Sequence, residues 1–118
     1  MAKPFAGWDE VVAFALALPD TELGTSYGKP AVKLRGKAFI YPSREPDSFG
    51  VASSLGEKQI LMETDPDTFW ETDHYRNWPA VLVRYGSADR ERIETVITRA
   101  WWDRATKAQR NEYGNERP

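Results

Sequence analysis

The sequence predicts one domain in which helices pack against a β-sheet. Apolar residues recur at helical spacing near both ends of the chain, and short β-branched and aromatic runs separated by turn residues lie between them. The 118 residues, 41% hydrophobic and 13% aromatic, suffice for one core but not for a second domain. We therefore expect a single domain over residues 1–118, ordered from about residue 5 to residue 107, with a polar C-terminal tail over residues 108–118.

The first half of the chain is predicted to contain a helix, a segment that fits two structures, and a hairpin. Helical spacing runs from Trp8 to Leu16, and Pro19 ends the helix because it disfavours helical geometry at the preceding residue. Residues 24–30 fit either a short edge strand or a loop. Residues 31–42 predict a hairpin whose turn contains Gly36. Both possible registers give a core face of Val32, Leu34, Phe39 and Tyr41 and an outer face of Lys33, Arg35, Ala38 and Ile40.

The second half predicts a strand over residues 49–54, a helix over residues 56–63, and a central or near-central strand over residues 79–85. Between them, residues 67–70 fit one further helical turn. Ser87 is the predicted cap of the final helix. On that helix Trp102 lies about 180° from Ile93, so it is predicted to point away from the core. There it either packs on the C-terminal tail or anchors a partner surface.

Composition excludes several classes of protein. The chain has no cysteine, which rules out disulfides, thiolate metal sites and a cysteine nucleophile. No apolar stretch is as long as a membrane span, so we expect a cytoplasmic protein with no membrane partner. The formal net charge is −2, which argues against coating nucleic acid through overall charge.

The charges are unevenly distributed along the chain. Residues 23–44 carry only positive charges, namely Lys29, Lys33, Arg35, Lys37 and Arg44. The segment from Glu45 to Asp73 carries eight acids against one base, Lys58. Opposite potentials on different regions would follow, although such runs also occur as ordinary solvated surface.

The sequence offers no recognisable catalytic or metal site. His74 is the only histidine, and no nucleophile elbow, paired-histidine spacing or phosphate-binding glycine loop accompanies it. The nearby acids Asp65, Asp67, Glu71 and Asp73 lack the glycine and terminal glutamate of a calcium loop. We therefore expect a non-enzymatic protein with no catalytic residue, no bound metal and no cofactor.

A nucleic-acid interface is the strongest functional prediction, because it requires cations for phosphates and aromatic groups for bases. The candidate residues are Lys33, Arg35, Lys37, Arg44, Tyr75, Arg76 and Trp78. The alternative is that Tyr75 and Trp78 complete the core while Arg76 pairs with an acid such as Asp73. A second possible role is a protein-interaction or small-ligand-binding module with an exposed aromatic surface, including a homodimer through Trp102.

Several short sequence segments, in a fixed order along the chain, support a family resemblance. They are Leu18-Pro19 with the glycine-rich loop that follows, the hairpin from Lys33 to Tyr41, Asp65-Pro66-Asp67-Thr68-Phe69, His74-Tyr75-Arg76, the run from Trp78 to Arg84, and the closing helix with Trp101. The chain resembles the MmcQ/YjbR family of small bacterial proteins, whose fold is similar to the frataxin-like CyaY group.

That resemblance implies an α+β fold in which the N- and C-terminal helices cover one face of a mainly antiparallel sheet. It also implies DNA binding without assigned catalytic residues, and fold carries over more safely than activity. Frataxin-like proteins bind iron through an acidic ridge on the first helix, whereas this helix offers only Asp9 and Glu10. This departure argues against iron handling.

Overall fold

The computed structural model describes residues 3–118 and has the α+β fold that the sequence predicts. The elements are α1 (Trp8–Leu16), β1 (Glu22–Ser26), β2 (Lys29–Leu34), β3 (Lys37–Pro42), β4 (Ser48–Ala52), α2 (Leu55–Thr64), β5 (Phe69–Trp70), a 3-10 turn (Asp73–Tyr75), β6 (Ala80–Arg84), α3 (Arg90–Arg104) and α4 (Lys107–Tyr113). The strands form one sheet in the order β1-β2-β3-β4-β6-β5. Every neighbouring pair is antiparallel.

The core lies between one face of this sheet and helices α1 and α3. Phe49 of β4 and Val83 of β6 point into the core and pair with each other across the sheet. They meet the apolar stripe of α3, where Trp101 is fully buried and its indole nitrogen donates a 2.9 Å hydrogen bond to the carbonyl oxygen of Pro19. The strands predicted over residues 49–54 and 79–85 thus correspond to β4 and β6. In residues 3–118 no helix has the length and apolar character needed to cross a membrane.

The β2–β3 hairpin differs from the predicted arrangement because of a bulge. Arg35 and Gly36 form a two-residue turn with φ values of 56° and 78°, as expected for a type I′ hairpin turn. The register then shifts between Val32 and Lys33, so that β3 carries one extra residue at Phe39. A bulge turns the strand and changes the face of every residue beyond it.

The bulge makes two of the predicted orientations wrong. Phe39 and Ile40 are both completely buried in the core, although Ile40 was expected on the outer face. Tyr41, expected on the core face, pairs with Gly50 and has its ring against that glycine on the opposite face, where it is half-buried and still packs against the edge of the core. Alternation along the sequence could not reveal the extra residue, because each arm of the hairpin still alternates locally.

Two further local predictions are corrected. Of residues 67–70, predicted as one helical turn, Phe69 and Trp70 instead form β5, which pairs with β6 through Phe69 and Val83. The cap of α3 is Asp89, whose carboxylate accepts the amide of Arg92 at 3.1 Å, rather than Ser87.

The C-terminal segment, predicted as a polar tail, contains helix α4 and covers Trp102. Only 7% of Trp102 is exposed. The ring of Tyr113 lies 6.1 Å from its ring, and the guanidinium of Arg110 lies 5.2 Å from its centroid. Of the two alternatives for Trp102, the structure therefore shows packing on the chain's own C-terminus. The expectation of an exposed Trp102 is wrong, and a homodimer through this ring would require α4 to move.

Candidate nucleic-acid interface

The face of the sheet opposite α1 and α3, here called the outer face, is lined by small residues and covered by two tyrosine rings. Gly50 pairs with Tyr41 on one side and with Leu82 on the other. A Cβ atom on Gly50 would lie 3.2 Å from Cδ2 of Tyr41 and 3.7 Å from the hydroxyl oxygen of Tyr75. The missing side chain therefore lets both rings lie close to the sheet.

Tyr75 reaches this face because a buried lysine fixes its loop. Lys58 of α2 is only 2% exposed, and its ammonium lies 3.0 Å from a carboxylate oxygen of Glu71. It also donates hydrogen bonds of 2.7 Å to the carbonyl oxygen of Tyr75 and 3.0 Å to that of Trp78. All three donors of the ammonium thus have acceptors, as a buried charge requires. The loop over residues 71–78 is anchored to α2 at three points.

The aromatic and charged residues predicted in this loop have three different placements. Tyr75 is half-buried over the sheet. Trp78 is 54% exposed and does not belong to the core. The guanidinium of Arg76 lies 2.6 Å from a carboxylate oxygen of Asp73 and 3.9 Å from one of Glu71. Arg76 therefore pairs with Asp73, as the alternative to a nucleic-acid contact expects, and these acids balance its charge.

The predicted basic residues divide into two groups. Lys33 belongs to the outer face, where its stem lies against Gly24: a Cβ atom there would be 3.1 Å from Cδ of Lys33. Arg44 is exposed, and its positive charge is close enough to Tyr75 to oppose the rise that burial causes in the pKa of that phenol. Arg35 and Lys37 are exposed at the hairpin end. Lys33 and Tyr75 thus share the outer face, while Arg44 lies in the adjoining turn between β3 and β4, and Arg35 and Lys37 lie at the hairpin end.

Sequence reasoning missed two contributors to this face. The first is Tyr41, whose hydroxyl donates to the carbonyl oxygen of Ala38 at 2.9 Å. Burial raises the pKa of Tyr41, and the charge of Arg104 opposes that rise. Because the bulge could not be read from the sequence, no sequence pattern indicated that Tyr41 lies on the outer face. The second is Lys58, which holds the loop that carries Tyr75. The sequence did single it out, since it is the only base between Glu45 and Asp73.

Contacts of Trp70 with Ser48 and Arg84 extend the outer face toward the β5 edge. The indole nitrogen of Trp70 donates to the hydroxyl oxygen of Ser48 at 3.0 Å, and the guanidinium of Arg84 lies 4.5 Å above the Trp70 ring. Arg84 also donates to the carbonyl oxygens of Pro66 and Asp67 at 3.2 and 3.0 Å. Since Arg84 is engaged by its own loop, we do not add it to the candidate interface.

Buried phenols predict a loss of stability in alkaline solution. Burial raises the pKa of Tyr41 and Tyr75, and burial together with the charge of Asp9 raises the pKa of Tyr85 to about 12. The unfolded chain would ionise these phenols from about pH 10, while the folded chain keeps them neutral. The contribution of all three is therefore complete below pH 10 and is lost as the pH rises above it, and the contribution of Tyr85 is lost as the pH rises toward 12.

We expect the urea midpoint to fall over this pH range in step with tyrosinate absorbance, and Tyr85→Phe to reduce the slope. Tyr27→Phe, which changes an exposed phenol (97% exposed), serves as the matched control. A midpoint that stays constant from pH 9 to 12 would contradict this prediction.

Two concavities lie beside other residues than those of the candidate interface. A groove of about 540 Å³ runs between α2 and α3, with an apolar floor and three arginines, of which Arg99 and Arg117 pair with Glu57. A second concavity of about 610 Å³ lies beside Arg84 and four aspartates. Within residues 3–118, no group of three or more histidine, aspartate or glutamate side chains is placed to hold a metal ion.

Comparison with known proteins places this geometry in a family. The model of the YjbR family matches residues 16–102. The uncharacterized protein Rv2570 of Mycobacterium tuberculosis and the uncharacterized protein Mb2600 of Mycobacterium bovis are each 29% identical to the chain, over 86% of this chain and 91% of the relative.

Among solved structures, the crystal structure of Deinococcus radiodurans protein DR2400, with family-model domain DUF419, superposes with a TM-score of 0.69. It covers 97% of this chain and 92% of its own, at 16% sequence identity. At that identity the likeness shows the fold alone. With the family model matched over most of its length, the chain belongs to the YjbR family.

Proposed function

We propose that this protein binds nucleic acid through its outer face without catalysing a reaction. The observation that supports this most is that Lys33 and Tyr75 share the outer face, with the exposed Arg44 in the adjoining β3–β4 turn, while Trp78 stands exposed in the same anchored loop as Tyr75. Cations that meet phosphates beside aromatic groups that meet bases are the two elements such an interface needs.

The charge count sets the expected strength of binding. Lys33 and Arg44, with Arg35 and Lys37 at the hairpin end, could contact about two to four phosphates. At a slope of about −0.9 per phosphate, raising the salt from 50 to 200 mM would weaken binding by roughly 10- to 150-fold. Because the net charge is −2, we expect measurable binding mainly at low salt.

Charge reversal on the outer face tests this proposal. In an anisotropy titration with a labelled DNA oligomer at low salt, Lys33→Glu with Arg44→Glu is expected to weaken binding at least tenfold and to flatten the salt dependence. The matched control is Lys3→Glu with Lys107→Glu, the same charge change at exposed lysines outside the outer face. It should stay within about threefold of wild type.

Two results would overturn the proposal. The first is no detectable binding of single- or double-stranded DNA by the wild-type protein at low salt. The second is an equal loss in the two double variants, which would mean that the effect depends on net charge and not on the outer face.

A further inference from the structure

We propose that the preferred ligand is single-stranded, and that Trp78 is the platform on which an unpaired base stacks. This inference rests on the proposed function and specifies its ligand. It is carried by the indole of Trp78, which differs in its surroundings from the other four tryptophans of the chain.

Trp78 is the tryptophan left without a covering partner. Trp101 and Trp102 are buried and pack on Tyr113, and Trp8 and Trp70 are half-buried. Trp78 is 54% exposed. Among residues 3–118 neither Trp78 nor Trp8 makes a ring–ring or cation–π contact, but Trp8 packs against the core. An exposed indole face is an adequate surface for any of the bases, because every base has a π-face.

The backbone that carries Trp78 is held in place on both sides. Its amide donates to the carbonyl oxygen of Tyr75 at 3.0 Å, and its carbonyl oxygen accepts from Lys58 at 3.0 Å and from the amide of Ala80 at 2.8 Å. The preceding Asn77 adopts the left-handed region with φ of 61°, which asparagine tolerates better than most residues. A platform fixed in this way loses little conformational freedom when a base stacks on it.

The shape of the outer face favours a single strand over a duplex. Reading the major groove requires a helix or a free two-stranded ribbon. Here β2 and β3 are both paired within the sheet, and the tyrosine rings of residues 41 and 75 lie close against it. With few cations and a negative net charge, phosphate attraction alone is weak. Stacking adds affinity that does not depend on charge but needs an accessible, unpaired base.

The experiment compares one labelled oligonucleotide as a single strand and as its duplex, in the same low-salt buffer. We expect the wild type to bind the single strand at least fivefold more tightly than the duplex. Trp78→Ala should weaken single-strand binding by about 5- to 100-fold and change duplex binding less than threefold. Trp78→Phe should retain most of the affinity, because a phenyl ring still stacks.

Ile60→Ala is the matched control, since Ile60 is an exposed apolar residue of similar accessibility (59%) on α2. It should leave both affinities unchanged, and all variants should share the wild-type melting temperature within a few degrees. Equal or tighter duplex binding, or an equal loss on both ligands in Trp78→Ala, would overturn the single-strand inference while leaving the proposed function standing. No binding of either form would overturn both.

Discussion

Replacing Lys58 with methionine is expected to lower the free energy of unfolding by about 3 kcal/mol. Methionine keeps the apolar stem but removes the ammonium, so Glu71 loses its buried partner, and the carbonyl oxygens of Tyr75 and Trp78 lose a donor. Leaving one member of a buried ion pair uncompensated costs more than the intact pair contributes. The expected value lies at the lower end of the known range because the Glu71 side chain is 24% exposed. Urea denaturation measures the change.

A double variant separates the pair from the two carbonyl contacts. Adding Glu71→Gln to Lys58→Met removes the carboxylate that would be left with only the exposed Arg76, 3.9 Å away, so we expect it to recover about 1 kcal/mol of the loss. Lys107→Met, at an exposed position of α4, should change stability by less than about 0.5 kcal/mol. If Lys58→Met were as stable as this control, the lysine would not anchor the loop.

The same lysine links stability to the candidate interface. Because Lys58 binds the carbonyl oxygens on either side of Asn77, its removal should increase amide hydrogen exchange in residues 73–78 more than in β4 or β6. It should also weaken nucleic-acid binding if Trp78 must be held in place to accept a base. Exchange that increases in this loop more than in β4 and β6, together with weaker binding, would show that Lys58 positions this site and does more than support the fold.

The parts of the fold that the sequence predicts are those set by local patterns. Alternation along β4 and β6 puts Phe49 with Val51, and Val81 with Val83, on one side of each strand, because each side of a strand repeats every second residue. The β2–β3 hairpin shows the limit of this reasoning. One extra residue at Phe39 changes the face of Ile40 and Tyr41, and the cause is the pairing of β3 with its neighbours, which neither arm records.

The candidate site was predictable as a list of residues but not as an arrangement. The orientation of Tyr75 and Trp78 depends on Lys58, which lies 17 and 20 positions away in the chain, and on the absence of a side chain at Gly50. Arg76 pairs with Asp73, as the alternative to a nucleic-acid contact expects. The two residues are only three positions apart, in one turn. Contacts within a turn can be read from sequence, whereas the anchoring of a loop by another element cannot.

Removing the C-terminal segment is the second change with a large expected effect. A chain that ends at Ala105 loses Tyr113, whose ring lies 5.4 Å from that of Trp101 and 6.1 Å from that of Trp102. It also loses Arg117, which lies 3.0 Å from a carboxylate oxygen of Asp103 and 2.8 Å from one of Glu57. We expect a loss of roughly 3 kcal/mol in the free energy of unfolding, mostly from the uncovered aromatic surface.

The truncated chain also decides what Trp102 does when it is uncovered. Exposing a tryptophan on an apolar helix face favours association, so we expect sedimentation velocity to show self-association of the truncated chain but no change in the full-length protein on Trp102→Ala. Adding Trp102→Ala to the truncated chain should reverse that association. If full-length wild type instead formed a dimer that Trp102→Ala dissociated, α4 would have to leave the ring in solution. The hydrogen bond from Arg110 to the carbonyl oxygen of Trp102, at 2.9 Å, argues against that, because the contact fixes α4 to the end of α3 where the ring is attached.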